Sequence, residues 1–349
     1  MKGDDEAMGL HPSMAAVRSG VRRALSHLDV DATVLVACSG GADSLALLSA
    51  SLFEGHKMGM RVVGVSVDHG LQPGSAEHAA RVVAQMSALG ADETATARVH
   101  VEAGGLGIEA AARRARYAVL EQMREHFDAA AVLLGHTRDD QAETVLLGLT
   151  RGSGGRSIAG MRRRFDHYLR PLLDVTRHDT TDACLAEGIE AWDDPHNHDH
   201  GFARVRVRHT VLPLLEAELG PGVAATLART ADQVRADVEA LDELAQECFR
   251  QIVAPSPTTG STTAGGAKEP VAIAVAELVH THRAIASRVL RLAALEAGAI
   301  DAELFYVHVA ALLDLVESGN SGAQVQLPGH LTAYRDRSHL RFRATPVAG

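Results

Sequence analysis

The sequence predicts an α/β protein: a doubly wound, mostly parallel sheet followed by a mainly helical domain with a small β tail. Three observations predict it. Short apolar runs alternate with helix-period segments through the first half of the chain. From Val211 onward the composition turns to long Ala- and Leu-rich segments, and the closing stretch "AQVQLPGHLTAYRDRSHLRFRA" alternates apolar with polar residues.

The strands of the first half are expected at 33–37 (TVLVA), 61–67 (RVVGVSV), 97–102 (ARVHVE) and 130–135 (AAVLLG). Most are near-continuous apolar runs, as suits strands covered on both faces. Helices are expected at 44–51, 75–89, 108–127 and 139–149, the last capped by Thr137 or Asp139. The domains follow: 1–30 is an N-terminal extension with a helix, 31–215 the α/β domain, and 216–349 the helical domain with a β tail at 323–343. A segment at 254–270, "APSPTTGSTTAGGAKEP", is too rich in Gly, Ser, Thr and Pro to bury a core, and reads as a flexible loop.

Bulk properties narrow the function classes. A length of 349 residues suits two domains. With 44 acidic against 34 basic side chains the net charge is −10, which disfavours a uniformly basic nucleic-acid binder but leaves room for a local basic patch. The three cysteines, Cys38, Cys184 and Cys248, are far apart and form no C-x-x-C, so neither a disulfide framework nor a four-cysteine metal site fits. The chain has no segment of signal-peptide type and no apolar run near the roughly 20 residues of a membrane span, so a cytoplasmic location is expected.

The most informative junction is "VLVACSGGADSLALL" at 34–48, where a buried strand gives way to a helix through Ser39, Gly40, Gly41, Ala42, Asp43 and Ser44. Glycines allow close backbone approach, successive amides form a concave nest, and the helix N-terminus adds partial positive charge. Such a turn suits phosphate oxygens. A serine-capped helix entry is the plainer alternative. No lysine follows the glycines, which excludes GxxxxGK[ST], and no GxGxxG is present.

A second constellation lies in "LLGHTRDDQAETVLLGLTRGSGGRSIAGM" at 133–161. His136 ends a strand and falls at the carboxyl edge of the sheet, where α/β ligands bind. Asp140 and Glu143 stand three apart on one helical face and suit a cationic ligand, while Asp139 and Asp140 also favour a helix N-terminus. From Arg151 to Arg170 six arginines face one acid, Asp166, and "FARVRVRH" adds three more, which marks a stripe for a polyanion. The histidines of "HNHDH" with His209 invite a metal reading, but they lack an ordered supporting shell. Trp192 reads as packing.

Ser-Gly-Gly-Ala-Asp-Ser resembles the SGGxDS loop of the PP-loop, or N-type, ATP pyrophosphatases, and "GHTRDDQAET…LTRGSGGRSIAGM" is similar to the matching segment of the bacterial tRNA(Ile)-lysidine synthetases. "DHGLQPGSAEHA", "GIEAAARRARYAVL", "LRPLL" and "EGIEAWDDPHNHDHGFARVRVRHTVLPLL" extend the resemblance, in order, over about residues 34–216. Ser157-Ile158 departs from the usual Gly-Leu. The resemblance implies ATP and Mg²⁺ as cofactors, with Asp43 near metal and phosphates, and L-lysine and a tRNA(Ile) with a CAU anticodon as substrates. By the same match Asp140 and Glu143 hold the lysine, and Arg113, with His136 at the strand end, joins the catalytic group; Arg114, and the stripe residues Arg151, Arg162, Arg163, Arg204 and Arg208, are expected to meet tRNA. A homodimer is carried as an expectation. The rival readings are another PP-loop tRNA-modifying enzyme, such as a cytidine thiolase, and a nucleotide-binding sensor without chemistry.

Overall fold

A computed structural model describes residues 10–68, 70, 74–99, 108–152, 154–253, 271–318 and 322–345. The chain forms two compact units, Met1–Asp232 and Gln233–Gly349. The expected loop at 254–270 lies outside the described residues.

The first unit opens with α1 (Pro12–Leu25), β1 (Thr33–Ala37), α2 (Ala42–Lys57), β2 (Arg61–Asp68), α3 (Ser75–Ala88), β3 (Glu93–Arg98), α4 (Ile108–His126), β4 (Ala131–Leu134) and α5 (Arg138–Arg151). A helical turn α6 (Gly155–Ile158), a short hairpin of β5 (Arg164–Phe165) and β6 (Tyr168–Leu169), and α7 (Arg177–Ala186) follow. Next come α8 (Ala203–Arg206), a π segment (Val207–Val211), α9 (Leu212–Leu219) and α10 (Val223–Ile252), which contains the boundary between the units. The strand order is β3-β2-β1-β4-β6-β5, parallel except for the β5–β6 pair.

Both faces of this sheet are buried, which explains the unbroken apolar runs. Val34 and Val36 of β1 pack with Val17, Val21 and Leu25 of α1 and with Leu45, Leu47 and Leu48 of α2. Leu35, Val63, Val65 and Val132 face the other layer with Leu120 and Met123 of α4. Side chains alternate along each strand, so one run supplies two cores.

The third strand corrects the expectation at 97–102. It lies earlier, at Glu93–Arg98, paired in register from Val63↔Glu93 to Asp68↔Arg98, and residues 100–102 fall outside the described set. An edge strand needs backbone pairing more than apolar side chains, and "ETATAR" is half exposed, so hydrophobicity points past it. The expected helix at 44–51 extends to Lys57, and the turn at 152–160 contains α6.

The second unit adds β7 (Ala272–Ala274), α11 (Val275–His280), α12 (Arg283–Glu296), α13 (Tyr306–Glu317), β8 (Gln324–Leu327), β9 (Leu331–Arg335) and β10 (His339–Ala344). Its antiparallel sheet has the order β7-β10-β9-β8, so the β tail recruits a strand from before α11. Ile273, Leu290, Leu312, Ala333 and Leu340 form its core. Among the described residues no single helix is long and apolar enough to cross a membrane.

Candidate active site

The glycine junction forms a tight turn that opens the N-terminus of α2. Gly40 has φ +86°, and a Cβ there would come within 2.8 Å of Val82 and 3.0 Å of His78, so only glycine fits. Gly41 caps α2 without a side-chain hydrogen bond, which leaves first-turn amides available to an anion. Ser44 shapes the loop internally: its hydroxyl donates to the Gly41 carbonyl at 2.9 Å and accepts from the Ser39 amide at 3.1 Å. His78 bonds the Ser39 carbonyl through Nε2 at 2.9 Å and lies on Trp192, with ring centroids 3.7 Å apart. The Trp192 amide in turn donates to Gly40 O at 2.8 Å, so Trp192 braces the loop as well as packing.

At the end of β4, Gly135 lets the strand pass the first turn of α2, since a Cβ there would sit 3.1 Å from the Asp43 carbonyl oxygen. The two loops are thereby held side by side. Asp43 accepts a hydrogen bond from the Thr180 hydroxyl and lies 3.7 Å from Arg177 Nε. Burial, with the nearby Asp140 charge, pushes its carboxyl up to about 6, against the opposing pull of Thr180 and Arg177.

Asp140 divides its two oxygens between two jobs. Oδ2 accepts from the Thr137 amide at 2.8 Å and from its hydroxyl at 3.1 Å, which closes the N-terminus of α5. Oδ1 takes Arg177 Nη2 at 2.8 Å and Arg208 Nη2 at 3.3 Å. Burial alone would raise this carboxyl, but Arg177, the Thr137 amide and Arg204 together hold it below the usual range. Glu143, one turn on, is fully buried and takes Arg208 Nε at 2.7 Å, Arg208 Nη2 at 3.1 Å, Arg177 Nη1 at 3.4 Å and, at 3.6 Å, Arg204 Nη1.

Three arginines thus converge on two carboxylates. Arg204 and Arg208, expected on the polyanion stripe, turn toward Asp140 and Glu143, carried by α8 and by the π segment. Helix distortions of this kind often mark functional sites. Arg177 was not among the expected residues. It sits on the first turn of α7 behind a Thr176/Asp179 capping box, and its amide donates to Asp139 Oδ2 at 2.8 Å. The T-x-x-D spacing at 176–179 is a local signal for that helix start, but nothing local shows which way the arginine faces.

His136 lies in the same region. Burial drives its imidazole down to about 3, with the neighbouring Asp140 opposing and the Arg170, Arg116 and Arg113 charges reinforcing, so it is neutral, and its Nδ1 is buried without a partner. Arg113 and Arg114 are exposed on α4. Arg163 spends its charge on Asp174, at 2.8 and 2.7 Å, and on Asp232, at 2.6 Å. Arg162 is exposed, and the side chain of Arg151 lies outside the described residues. Gln141 clamps the turn after α6, accepting from the Met161 amide at 2.6 Å and donating to its carbonyl at 3.2 Å. Among the described residues no group of three or more His, Cys, Asp or Glu side chains is placed to hold a metal; His198 pairs instead with Asp193, and His209 with the Asn197 carbonyl.

The chain is similar to known proteins over most of its length. A PP-loop domain model matches residues 16–215, and a TilS substrate binding domain model matches 274–341. The chain is 49% identical over 331 residues to the tRNA(Ile)-lysidine synthase of Thermobifida fusca, covering 95% of this chain and 97% of that one. It is 43% identical to the enzyme of the same name from Streptomyces coelicolor, covering 96% and 99%. Among solved structures, the U34-tRNA thiolase NcsA from Methanococcus maripaludis with its [4Fe-4S] cluster shares the fold, with a TM-score of 0.53 and 14% identity, over 74% of this chain and 86% of that one.

Proposed function

The chain belongs to the tRNA(Ile)-lysidine synthase family, and from that membership we propose that it joins L-lysine to the wobble cytidine of a tRNA(Ile) with a CAU anticodon, consuming ATP and releasing AMP and pyrophosphate. One observation carries the residue-level reading: a buried carboxylate pair, Asp140 and Glu143, beside a glycine cradle for phosphate.

ATP supplies the adenylyl group that turns the cytidine 2-oxygen into part of a leaving group. The amides around Gly40, Gly41 and Ala42 suit its phosphates, and Asp43 suits Mg²⁺ as the acidic side chain beside them. Asp140 and Glu143 complement ammonium groups and orient the lysine. One proton must leave the ε-ammonium before its nitrogen attacks, and a carboxylate of this pair is placed to accept it. Neutral His136 adds no competing positive charge next to the incoming amine. Arg204 and Arg208 pair with these carboxylates, and an entering ammonium group that displaces them would free them for RNA phosphates.

A thiolation reading draws on the shared fold, but the cysteines oppose it. Burial pushes the Cys38 and Cys184 thiols each up to about 12, which removes the thiolate such chemistry needs, and Cys248 belongs to the other unit. Incorporation of labelled L-lysine into unmodified tRNA(Ile) transcript, with ATP and Mg²⁺, tests the proposal. AMP formation with a sulfur donor and none with lysine would overturn it, and light scattering of the purified chain tests the homodimer.

A further inference from the structure

Arg177 pairs with all three carboxylates of the site. Its Nη2 lies 2.8 Å from Asp140 Oδ1, its Nη1 3.4 Å from Glu143 Oε1 and its Nε 3.7 Å from Asp43 Oδ2. Among the described residues Arg204 and Arg208 pair with Asp140 and Glu143 and not with Asp43. One guanidinium thus joins the carboxylate beside the glycine cradle to the two carboxylates of the amine pocket.

The helix that carries Arg177 is fixed at both ends of this bridge. The Arg177 amide donates to Asp139 Oδ2 at 2.8 Å, and the buried Thr180 hydroxyl, one turn on, donates to Asp43 Oδ1. The start of α7 is therefore tied once to α5 and once to the first turn of α2. The side chain is less committed than its neighbours. Arg208 holds Glu143 through two parallel hydrogen bonds at 2.7 and 3.1 Å, whereas Arg177 divides its fork between two residues and is 28% exposed. A rotamer change at its outer bonds carries the charge from Asp140 toward Asp43 without moving α7.

Two arrangements of one side chain therefore compete. On Asp140 and Glu143 the guanidinium fills the place an ammonium group needs, and toward Asp43 it clears that place. Phosphates at the amides of Gly40, Gly41 and Ala42 bring net negative charge to the Asp43 side and favour the second arrangement. An ammonium group at Asp140 and Glu143 repels the guanidinium in the same direction. Two ligands that bias one side chain the same way assist each other's binding.

We propose that Arg177 is a positioning residue that couples the nucleotide and amine subsites: it occupies the amine pocket before ATP binds, and withdraws toward Asp43 when ATP arrives. L-lysine then binds tightly only with the nucleotide in place. This rests on the reading above that the chain binds both.

The test measures binding by the full chain without tRNA, by isothermal titration of L-lysine with and without Mg²⁺ and the uncleavable α,β-methylene analogue of ATP. In the wild type the analogue should tighten L-lysine binding about fivefold or more, and saturating L-lysine should tighten the analogue by the same factor. Arg177→Gln removes the competing charge. Without nucleotide it should bind L-lysine more tightly than the wild type, and the analogue should then change that affinity by less than about twofold. Arg177→Lys keeps a cation for Asp140 but lacks the fork that reaches Asp43, so its coupling should also fall below about twofold. If Arg177→Gln does not fold, Arg177→Lys decides alone. The wild-type factor retained in either variant overturns the proposal, as does a wild-type L-lysine affinity that ignores the analogue. Weaker nucleotide-free L-lysine binding in Arg177→Gln also overturns it, since Arg177 would then build the pocket instead of filling it. Those outcomes leave the lysine reading standing. No L-lysine binding by the wild type under either condition removes that reading, and the proposal with it.

Discussion

Arg208 grips Glu143 with two parallel hydrogen bonds, Nε to Oε1 at 2.7 Å and Nη2 to Oε2 at 3.1 Å, so the buried carboxylate at the centre of the site is already matched by a cation from the π segment. A bidentate pair of this kind is both directional and strong. It means that the carboxylate pair is built for positive charge, and that any ammonium group entering must share or displace a guanidinium.

Glu143→Gln tests this directly. The amide keeps the shape but removes the charge, leaving Arg208 and Arg177 with one buried counter-ion fewer. The KM for L-lysine should rise at least tenfold with the KM for ATP nearly unchanged, and urea unfolding should show a loss of about 3 kcal/mol. An unaltered lysine KM would remove Glu143 from the amine pocket.

Asp43 makes a pH prediction whose sign follows from its environment. Its folded pKa, about 6, lies above the ordinary value of 3.8, so ionisation is disfavoured in the fold. The ionised form therefore costs stability above pH 6, and that cost fades as the pH falls from 6 toward 4. Asp43→Asn should raise the melting temperature of the ligand-free protein at pH 7.5, by at most about 3 kcal/mol in stability terms, and should not raise it at pH 4. The same variant should lose ATP-dependent turnover. Stabilisation that persists undiminished at pH 4 would assign the effect to packing instead.

Gly40→Ala places a Cβ against Val82 and His78 at a backbone angle of φ +86°. The strain should cost about 1–3 kcal/mol and distort the cradle, so ATP binding should fall far more than tRNA binding. Isothermal titration with ATP and Mg²⁺ checks it. Normal ATP affinity in this variant would mean that the phosphates are held elsewhere.

The cysteines give a prediction that separates lysine transfer from sulfur transfer. Cys38 and Cys184 should resist iodoacetamide at pH 7.5 in the folded protein and react after denaturation. Cys184→Ala should keep lysine incorporation within about threefold of wild type, because a small buried side chain is exchanged for one slightly smaller. Abolished transfer at unchanged stability would bring the thiol into the chemistry.

Local patterns carried much of the architecture. β1, β2 and β4 announce themselves as apolar runs because the parallel sheet is covered on both sides, and Thr137 marks the start of α5 because a capping oxygen is needed there. The glycine junction was legible for the same reason: Gly40 stands where no side chain fits, and the chain leaves a visible gap in its hydrophobic pattern. Asp140 and Glu143 could be paired from spacing alone, since residues three apart on a helix share a face.

Other features depend on segments far apart in the chain and leave no local trace. β3 was misplaced because an edge strand is held by the backbone of β2 and not by its own apolar residues. Arg204 and Arg208 read in sequence as part of a stripe for a polyanion and Arg177 was not singled out, and only the packing of α7, α8 and the π segment around α5 turns them toward the carboxylates. The charge and helical phase of each residue follow from neighbours a few positions away, so the sequence reveals them. Which opposite charge a buried carboxylate meets follows from how distant helices close on one another, and that is settled only when the whole unit folds.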